Sequence, residues 1–213
     1  MYKLSYSSIS NWLLCPRKFK EINVEYNFRD ASFATAKGTD VHKKLEEYVN
    51  GRANEYPLDY KHPMLDTLRV MYAQQKGKPY TIQTESMFAV DINGNPVGYK
   101  DDNAVLRGKI DLLITSPAEV LVVDYKTGKR RDNTLQASCY GVLTQGLAGG
   151  KPVSAVFDYL DKGRDEPIKV DKAMRDHVYD LIRDINNCRE FPERPNNLCA
   201  WCAVATCPFF KRS

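Results

Sequence analysis

Val120-Leu121-Val122-Val123-Asp124-Tyr125-Lys126-Thr127-Gly128 decides how the rest of the chain is read. Its first four residues form a continuous apolar, mostly β-branched run, the pattern of a central strand covered on both faces. The run ends on Asp124, and Lys126 stands two residues on. On a strand, residues i and i+2 project from the same side, so Asp124 and Lys126 leave the core together. Upstream, Val105 to Thr115 reads as another strand and carries Arg107-Gly108-Lys109-Ile110-Asp111, with Ser116-Pro117 as the break between the two. If these strands are neighbours, Asp111 joins Asp124 and Lys126.

Working outward, Ser7-Ser8-Ile9-Ser10 reads as a helix start, with Ile9, Trp12 and Leu13 as its apolar stripe and Pro16 breaking it after Cys15. A second helix is expected to open near Gly38-Thr39-Asp40, bury Val41, Leu45, Tyr48 and Val49, and end at Gly51. Pro63 to about Gln75 reads as a third. Tyr80 to Val90 is a strand, closed by the turn signal Asp91-Ile92-Asn93-Gly94-Asn95. Beyond the central strand come a helix from Leu135 to Leu147, a strand from Pro152 to Leu160 and a long helix from Lys172 to Arg189. From Phe191 onward three prolines and three cysteines show no regular period. The order predicts an α/β fold with a mixed sheet.

Composition excludes several classes. At 213 residues, 43% hydrophobic and 27% charged, the chain fits one soluble globular domain. Mean hydropathy is −0.50. No apolar run has the length of a membrane span, and Met1 to Ser7 lacks the apolar stretch of a secretory signal, so a cytoplasmic protein is expected. The net charge of +4 permits contact with a phosphate backbone without requiring it. The basic residues cluster: Arg17, Lys18 and Lys20 in one group, Lys126, Lys129, Arg130 and Arg131 in another.

Two carboxylates near one lysine suit metal-assisted phosphodiester hydrolysis. Mg²⁺ takes oxygen ligands and keeps several waters. Asp111 and Asp124 would hold it, helped by the backbone carbonyl of Tyr125, and Lys126 would orient the attacking water or offset charge in the transition state. Asp-x-Lys alone is an ordinary surface ion pair, and its specificity comes from companions. His42 follows Gly38-Thr39-Asp40-Val41 on the second helix and is a candidate additional ligand. Gln136 and Tyr140 lie four apart on the helix after the central strand, hence on one face.

This ordered set, Gly38-Thr39-Asp40-Val41-His42, Gly108-x-x-Asp111, Asp124-x-Lys126 and Gln136-x-x-x-Tyr140, resembles the motifs of RecB-like nucleases in the PD-(D/E)XK superfamily. The resemblance spans nearly the whole chain. It implies a restriction-endonuclease-like core, a mixed β-sheet flanked by helices, and a Mg²⁺- or Mn²⁺-dependent nuclease acting on DNA. It assigns metal binding to His42, Asp111 and Asp124 and catalysis to Asp111, Asp124 and Lys126. Gln136 and Tyr140 would support the site or the DNA.

Six cysteines in a chain without an export signal are not read as a disulfide framework. Cys199-x2-Cys202-x4-Cys207 has metal-binding spacing. With Cys15 far upstream, the arrangement resembles the iron–sulfur subgroup of RecB-like nucleases, which includes CRISPR-associated exonucleases and the AddB nuclease domain. That resemblance implies a 4Fe–4S cluster on Cys15, Cys199, Cys202 and Cys207, stapling the C-terminal segment to the N-terminal one. The family's last spacing is usually five residues; here it is four, which leaves Zn²⁺ as an alternative. Cys139 and Cys188 read as buried packing residues. A single nuclease domain is expected over 1–213: an N-terminal segment (1–37), a core (38–190) and a C-terminal cluster segment (191–213).

Arg17, Lys18, Lys109, Lys129, Arg130 and Arg131 are candidate phosphate contacts. Trp12, Phe19 and Tyr125 are candidates to stack on unpaired bases, with core packing preferred for Trp12. The expected activity is exonucleolytic, on single-stranded or free DNA ends. No G-x-x-x-x-G-K-[ST] phosphate loop is present, so a helicase would be a separate partner, as would other recombination or CRISPR subunits. The alternatives are a DNA-binding subunit with a silent nuclease fold and a zinc-stabilised endonuclease.

Overall fold

Ser5 opens the first helix. Its hydroxyl accepts from the Ser8 amide at 3.3 Å and the Ser8 hydroxyl accepts from the Ser5 amide at 2.7 Å, a reciprocal cap that places the start of α1 (Tyr6–Leu14) ahead of the Ser7–Ser10 cluster. Cys15 is extended, and Pro16 starts a new helix, α2 (Pro16–Phe19), which runs into a π-helical turn over Lys20–Val24. A proline at the first helical position needs no amide partner, so the chain restarts rather than bends. This computed structural model describes residues 1–27, 33–160 and 162–210, with backbone alone for 33–37.

α3 spans Phe33–Val49, so Gly38 lies inside the helix and not at its start. Ala34, Ala36 and Lys37 are good helix formers, and one glycine does not stop the run. α4 covers Leu65–Gln74. The strands β1 (Thr81–Val90), β2 (Leu106–Thr115) and β3 (Val120–Lys126) form an antiparallel meander. α5 (Thr134–Ala148) then crosses over to β4 (Val153–Tyr159), which lies parallel to β3. Two short strands absent from the sequence reading, β5 (Gly163–Arg164) and β6 (Ile168–Val170), pair antiparallel with β4. At two and three residues they are too short to show a period. α6 spans Lys172–Asn187 and is capped by Asp171, whose carboxylate accepts from the Met174 amide at 2.8 Å.

The fold is therefore a mixed sheet flanked by helices. One core joins Ile9 of α1, Val142 and Leu143 of α5 and Val178, Ile182 and Ile185 of α6 to Val120 and Val122 of β3. The other joins Leu45 and Val49 of α3 and Leu65 and Leu68 of α4 to Ile82, Leu112 and Val123. Phe19 and Tyr125 are buried in these cores, 1% and 4% exposed, so neither is placed to stack on a base. Trp12 packs against the first core, as preferred. Cys139 is buried, and burial pushes its thiol up to about 12. Cys188 is half-buried, and its thiol donates to the Glu190 carbonyl, a correction to the packing role expected of it.

α5 lies close enough to the sheet edge that a Cβ on Gly141 would sit 2.3 Å from Val170 Cγ1. Valine has little rotamer freedom with which to yield. Gly141→Ala is expected to destabilise the protein by about 1–3 kcal/mol despite alanine's better helix propensity. Urea denaturation checks this, and adding Val170→Ala should recover most of the loss.

Candidate active site and thiol pocket

The β2–β3 ladder runs from Thr115–Val120 to Leu112–Val123 and stops. The next pair in register is Asp111 and Asp124. Here the strands part, and the Asp111 side chain takes over the ladder's role: its Oδ2 accepts the Tyr125 amide at 2.8 Å. Its Oδ1 lies 3.1 Å from Nδ1 of His42, which reaches over from α3. The meander thus brings Asp111 to Asp124, and α3 adds His42.

Asp124 is 4% exposed. Its Oδ1 accepts from Gln136 Nε2 at 2.8 Å and from the Tyr140 hydroxyl. Its Oδ2 lies 2.7 Å from the Lys126 ammonium but has no aligned hydrogen-bond donor. The ammonium points instead at Gln136 Oε1, 2.9 Å away. Gln136 also donates to Tyr140 at 2.9 Å, so one helical turn of α5 braces both the carboxylate and the lysine.

Burial raises the Asp124 carboxyl above its ordinary range, and the charge of Asp111 raises it further; Lys126 and Tyr140 oppose this incompletely. Burial also raises the Tyr140 hydroxyl, as does the Asp124 charge, so it stays a donor. For His42, burial lowers the ring, but the hydrogen bond to Asp111 and the charges of Asp111, Asp124 and Glu85 outweigh it, and the net shift is upward. A buried carboxylate with an orphaned oxygen, next to a second, half-buried one, forms a donor set that suits a cation, and hard oxygen donors suit Mg²⁺ or Mn²⁺.

The sequence reading missed Glu85. His42, Glu85 and Asp111 each present a ligand atom, and these atoms lie within 4.8 Å of one another, the one such cluster among the described residues. A single acid inside the strand-patterned Thr81–Val90 was the available signal. The reading also passed over Tyr6, which lines a solvent-open pocket of about 310 Å³ with His42, Lys126, Lys129, Arg131 and Gln136.

The other basic candidates are engaged by acidic partners or lie elsewhere. Lys109 forms an ion pair with Glu85. Arg130 is engaged by Asp165 and by the carbonyls of Lys162 and Gly163, where it holds the β4–β5 turn. Arg17 pairs with Glu21 and Glu193. Arg17 and Lys18 stand at a second cavity, of about 180 Å³, lined by Cys15, Cys199, Cys202 and Cys207. The Arg194 amide donates to the Cys15 sulfur and the Asn196 amide to that of Cys199, both at 3.3 Å. No three of these four sulfurs lie within 4.8 Å of one another. The Arg17 amide also bonds the Pro192 carbonyl at 3.3 Å, so the C-terminal segment lies against the α1–α2 junction.

The profile of the PD-(D/E)XK nuclease superfamily matches residues 3–208. The chain belongs to the PD-(D/E)XK nuclease superfamily. Its fold resembles the crystal structure of SSO0001, with a TM-score of 0.52 and 14% identity over 98% of this chain and 87% of that one. It also resembles a Eubacterium rectale protein named "putative exonuclease", with a TM-score of 0.51 and 16% identity over 94% and 86%. No curated protein matches. No helix among the described residues is long and apolar enough to cross a membrane.

The pKa shifts fix a direction for pH. A raised carboxyl favours its neutral form, so Asp124 costs stability as pH rises from the ordinary carboxylate range through its raised value. A raised histidine stabilises below its ordinary value, and this is lost as pH rises through the raised one. Both signs agree. In EDTA, Tm is expected to fall as pH rises from the ordinary carboxylate range through the raised value of His42. Asp124→Asn should make that slope shallower and raise the metal-free Tm near neutrality, while losing the stabilisation that Mn²⁺ confers on the wild type. Thermal melts with and without Mn²⁺ measure both.

Proposed function

We propose that this protein is a divalent-metal-dependent deoxyribonuclease that hydrolyses phosphodiester bonds at DNA ends, preferably single-stranded ones. The observation that carries the reading is the convergence of Asp111, Asp124 and Lys126 at the point where β2 and β3 part, beside a pocket lined by Lys129 and Arg131. A Mg²⁺ or Mn²⁺ held by Asp111, Asp124 and the Tyr125 carbonyl, with His42 alongside, would supply a polarised phosphoryl oxygen and an acidified water.

The protein's own groups have separate tasks. Lys126 donates to Gln136 Oε1 and lies 2.7 Å from Asp124 Oδ2 without an aligned hydrogen bond to it. Its remaining N–H donors can meet a phosphate oxygen or the attacking water, in a site where charge is weakly screened. Gln136 and Tyr140 hold Asp124 in one rotamer and leave its Oδ2 for the cation. Lys129 and Arg131 offer cations to the flanking phosphates, which set position without reading sequence. The name of the Eubacterium rectale neighbour supports exonucleolytic action.

The four cysteines, which line one cavity, would hold a 4Fe–4S cluster. Amide donors on two of the sulfurs suit cluster thiolates. The cluster would reinforce the contact between the C-terminal segment and α1–α2. The setting is the processing of DNA ends in recombination, repair, viral replication or CRISPR adaptation, in the cytoplasm, with a helicase or another subunit as partner.

The test is cleavage of end-labelled linear and circular single-stranded DNA with Mg²⁺, Mn²⁺ or EDTA. Metal-dependent loss of the linear substrate and sparing of the circle are expected. Lys126→Ala and Asp124→Ala should each lower the rate by about 10³-fold or more while DNA binding stays within a few-fold. Absence of cleavage with every metal would favour a binding subunit. Anaerobically purified protein should contain iron and labile sulfide, and Cys199→Ser should lower Tm; zinc without iron would overturn the cluster.

A further inference from the structure

Glu85 sits in the middle of β1, where an ordinary strand residue would have its side chain either in the core or in solvent. It has neither placement. Its side chain is 11% exposed, and its carboxylate lies within 4.8 Å of the ligand atoms of His42 and Asp111. The β1–β2 ladder pairs Thr84 with Leu112 and Ser86 with Ile110 but skips Glu85 and Asp111 between them. At this point Glu85 takes φ +49°, the left-handed region that disfavours any residue with a Cβ. Strain of this kind persists where the surroundings hold it, and it concentrates at functional sites.

The neighbourhood concentrates negative charge, which two ammonium groups and one imidazole meet. Asp111, Asp124 and Glu85 are three carboxylates. Lys126 answers Asp124, and His42 leans on Asp111. Lys109 answers Glu85 from the adjacent strand, with its own side chain 55% exposed. Independently of this cluster, the buried Asp124 keeps an oxygen with no hydrogen-bond donor. One imidazole nitrogen and carboxylate oxygens together make a donor set suited to Mn²⁺ and accepted by Mg²⁺.

We propose that Glu85 is a further ligand residue of the metal centre and that Lys109 is its place-holder, an ammonium that neutralises Glu85 until a divalent cation displaces it. The proposal rests on the reading of this site as a metal-dependent one. The exchange has a consequence for substrate. Once Glu85 is taken by the cation, Lys109 is released to a surface where a DNA phosphate can receive it. Cation loading then favours DNA binding, and each ligand strengthens the other by the same factor.

The test is Mn²⁺ titration of the full chain, followed by calorimetry and by the loss of the free-ion EPR signal. Glu85→Gln should weaken Mn²⁺ binding about tenfold or more, because a neutral amide is a poor cation ligand. Lys109→Met should tighten it several-fold, since the competing charge is gone. Glu85→Gly separates ligand from scaffold: glycine adopts the positive φ freely, so the metal-free Tm should hold or rise while Mn²⁺ affinity falls as with glutamine. Mn²⁺ affinity within twofold of wild type in both Glu85 variants overturns the ligand role. Weaker binding in Lys109→Met overturns the place-holder. The same preparations are assayed on DNA. Glu85-dependent Mn²⁺ binding without any cleavage would keep this proposal and remove the nuclease reading. Cleavage by a wild type whose Mn²⁺ affinity ignores Glu85 would do the reverse. A wild type that binds no Mn²⁺ overturns both.

Discussion

Asp111 and Asp124 are two like charges brought side by side in a place largely closed to water, and much of the surrounding structure answers that cost. The strands that carry them stop pairing at this point, so the Asp111 carboxylate can accept the Tyr125 amide in place of a ladder carbonyl. Gln136, Tyr140 and Lys126 each bring a donor or a charge to Asp124, and His42 does so for Asp111. These groups come from α3, β3 and α5, elements belonging to both cores. Even so the Asp124 carboxyl stays raised by burial and by its neighbour's charge. A protein selected for stability alone would replace such a pair with apolar residues. Keeping it makes sense where a cation completes the site.

Rigidity at this site follows from the crossover. α5 is buried over most of its length, because it connects two parallel strands and is covered in turn by α6. Its first turns therefore hold Gln136 and Tyr140 with little freedom, and these fix Asp124 and Lys126. The close approach at Gly141 belongs to the same arrangement. Preorganisation of this kind is what a phosphoryl-transfer site needs, since its chemistry depends on positioning and electrostatics. The thiol pocket lies at the junction between α1 and α2 and the C-terminal segment, where Pro16 interrupts the helix and leaves Cys15 extended. Membership of the PD-(D/E)XK superfamily and the resemblance to two solved structures accord with this architecture.

The local pattern already determined a good deal. The apolar run from Val120 and its Asp-x-Lys ending marked the central strand, and the alternating stretches before it marked the meander. The i, i+4 spacing of Gln136 and Tyr140 put both on one helical face. Pro16 marked the break after Cys15. These features were legible because they depend on periods of two and 3.6 residues and on proline's missing amide. Local chemistry was less reliable at boundaries, as at Gly38, which α3 runs through, and at β5 and β6, which are too short to carry a period.

What tertiary structure alone decided is which charges meet. Lys109 and Arg130 looked like free cations, yet one is engaged by Glu85 and the other by Asp165 and two carbonyls. Phe19 and Tyr125 looked available to bases, and the cores claim both. Glu85 had no motif to announce it. Its place beside His42 and Asp111 arises from the register of β1 on β2, the skipped pair and a left-handed φ. Sequence periodicity determines which side of an element a residue occupies. Which partner waits there depends on how separate elements are brought together, and Coulomb interactions act on that distance, not on separation along the chain.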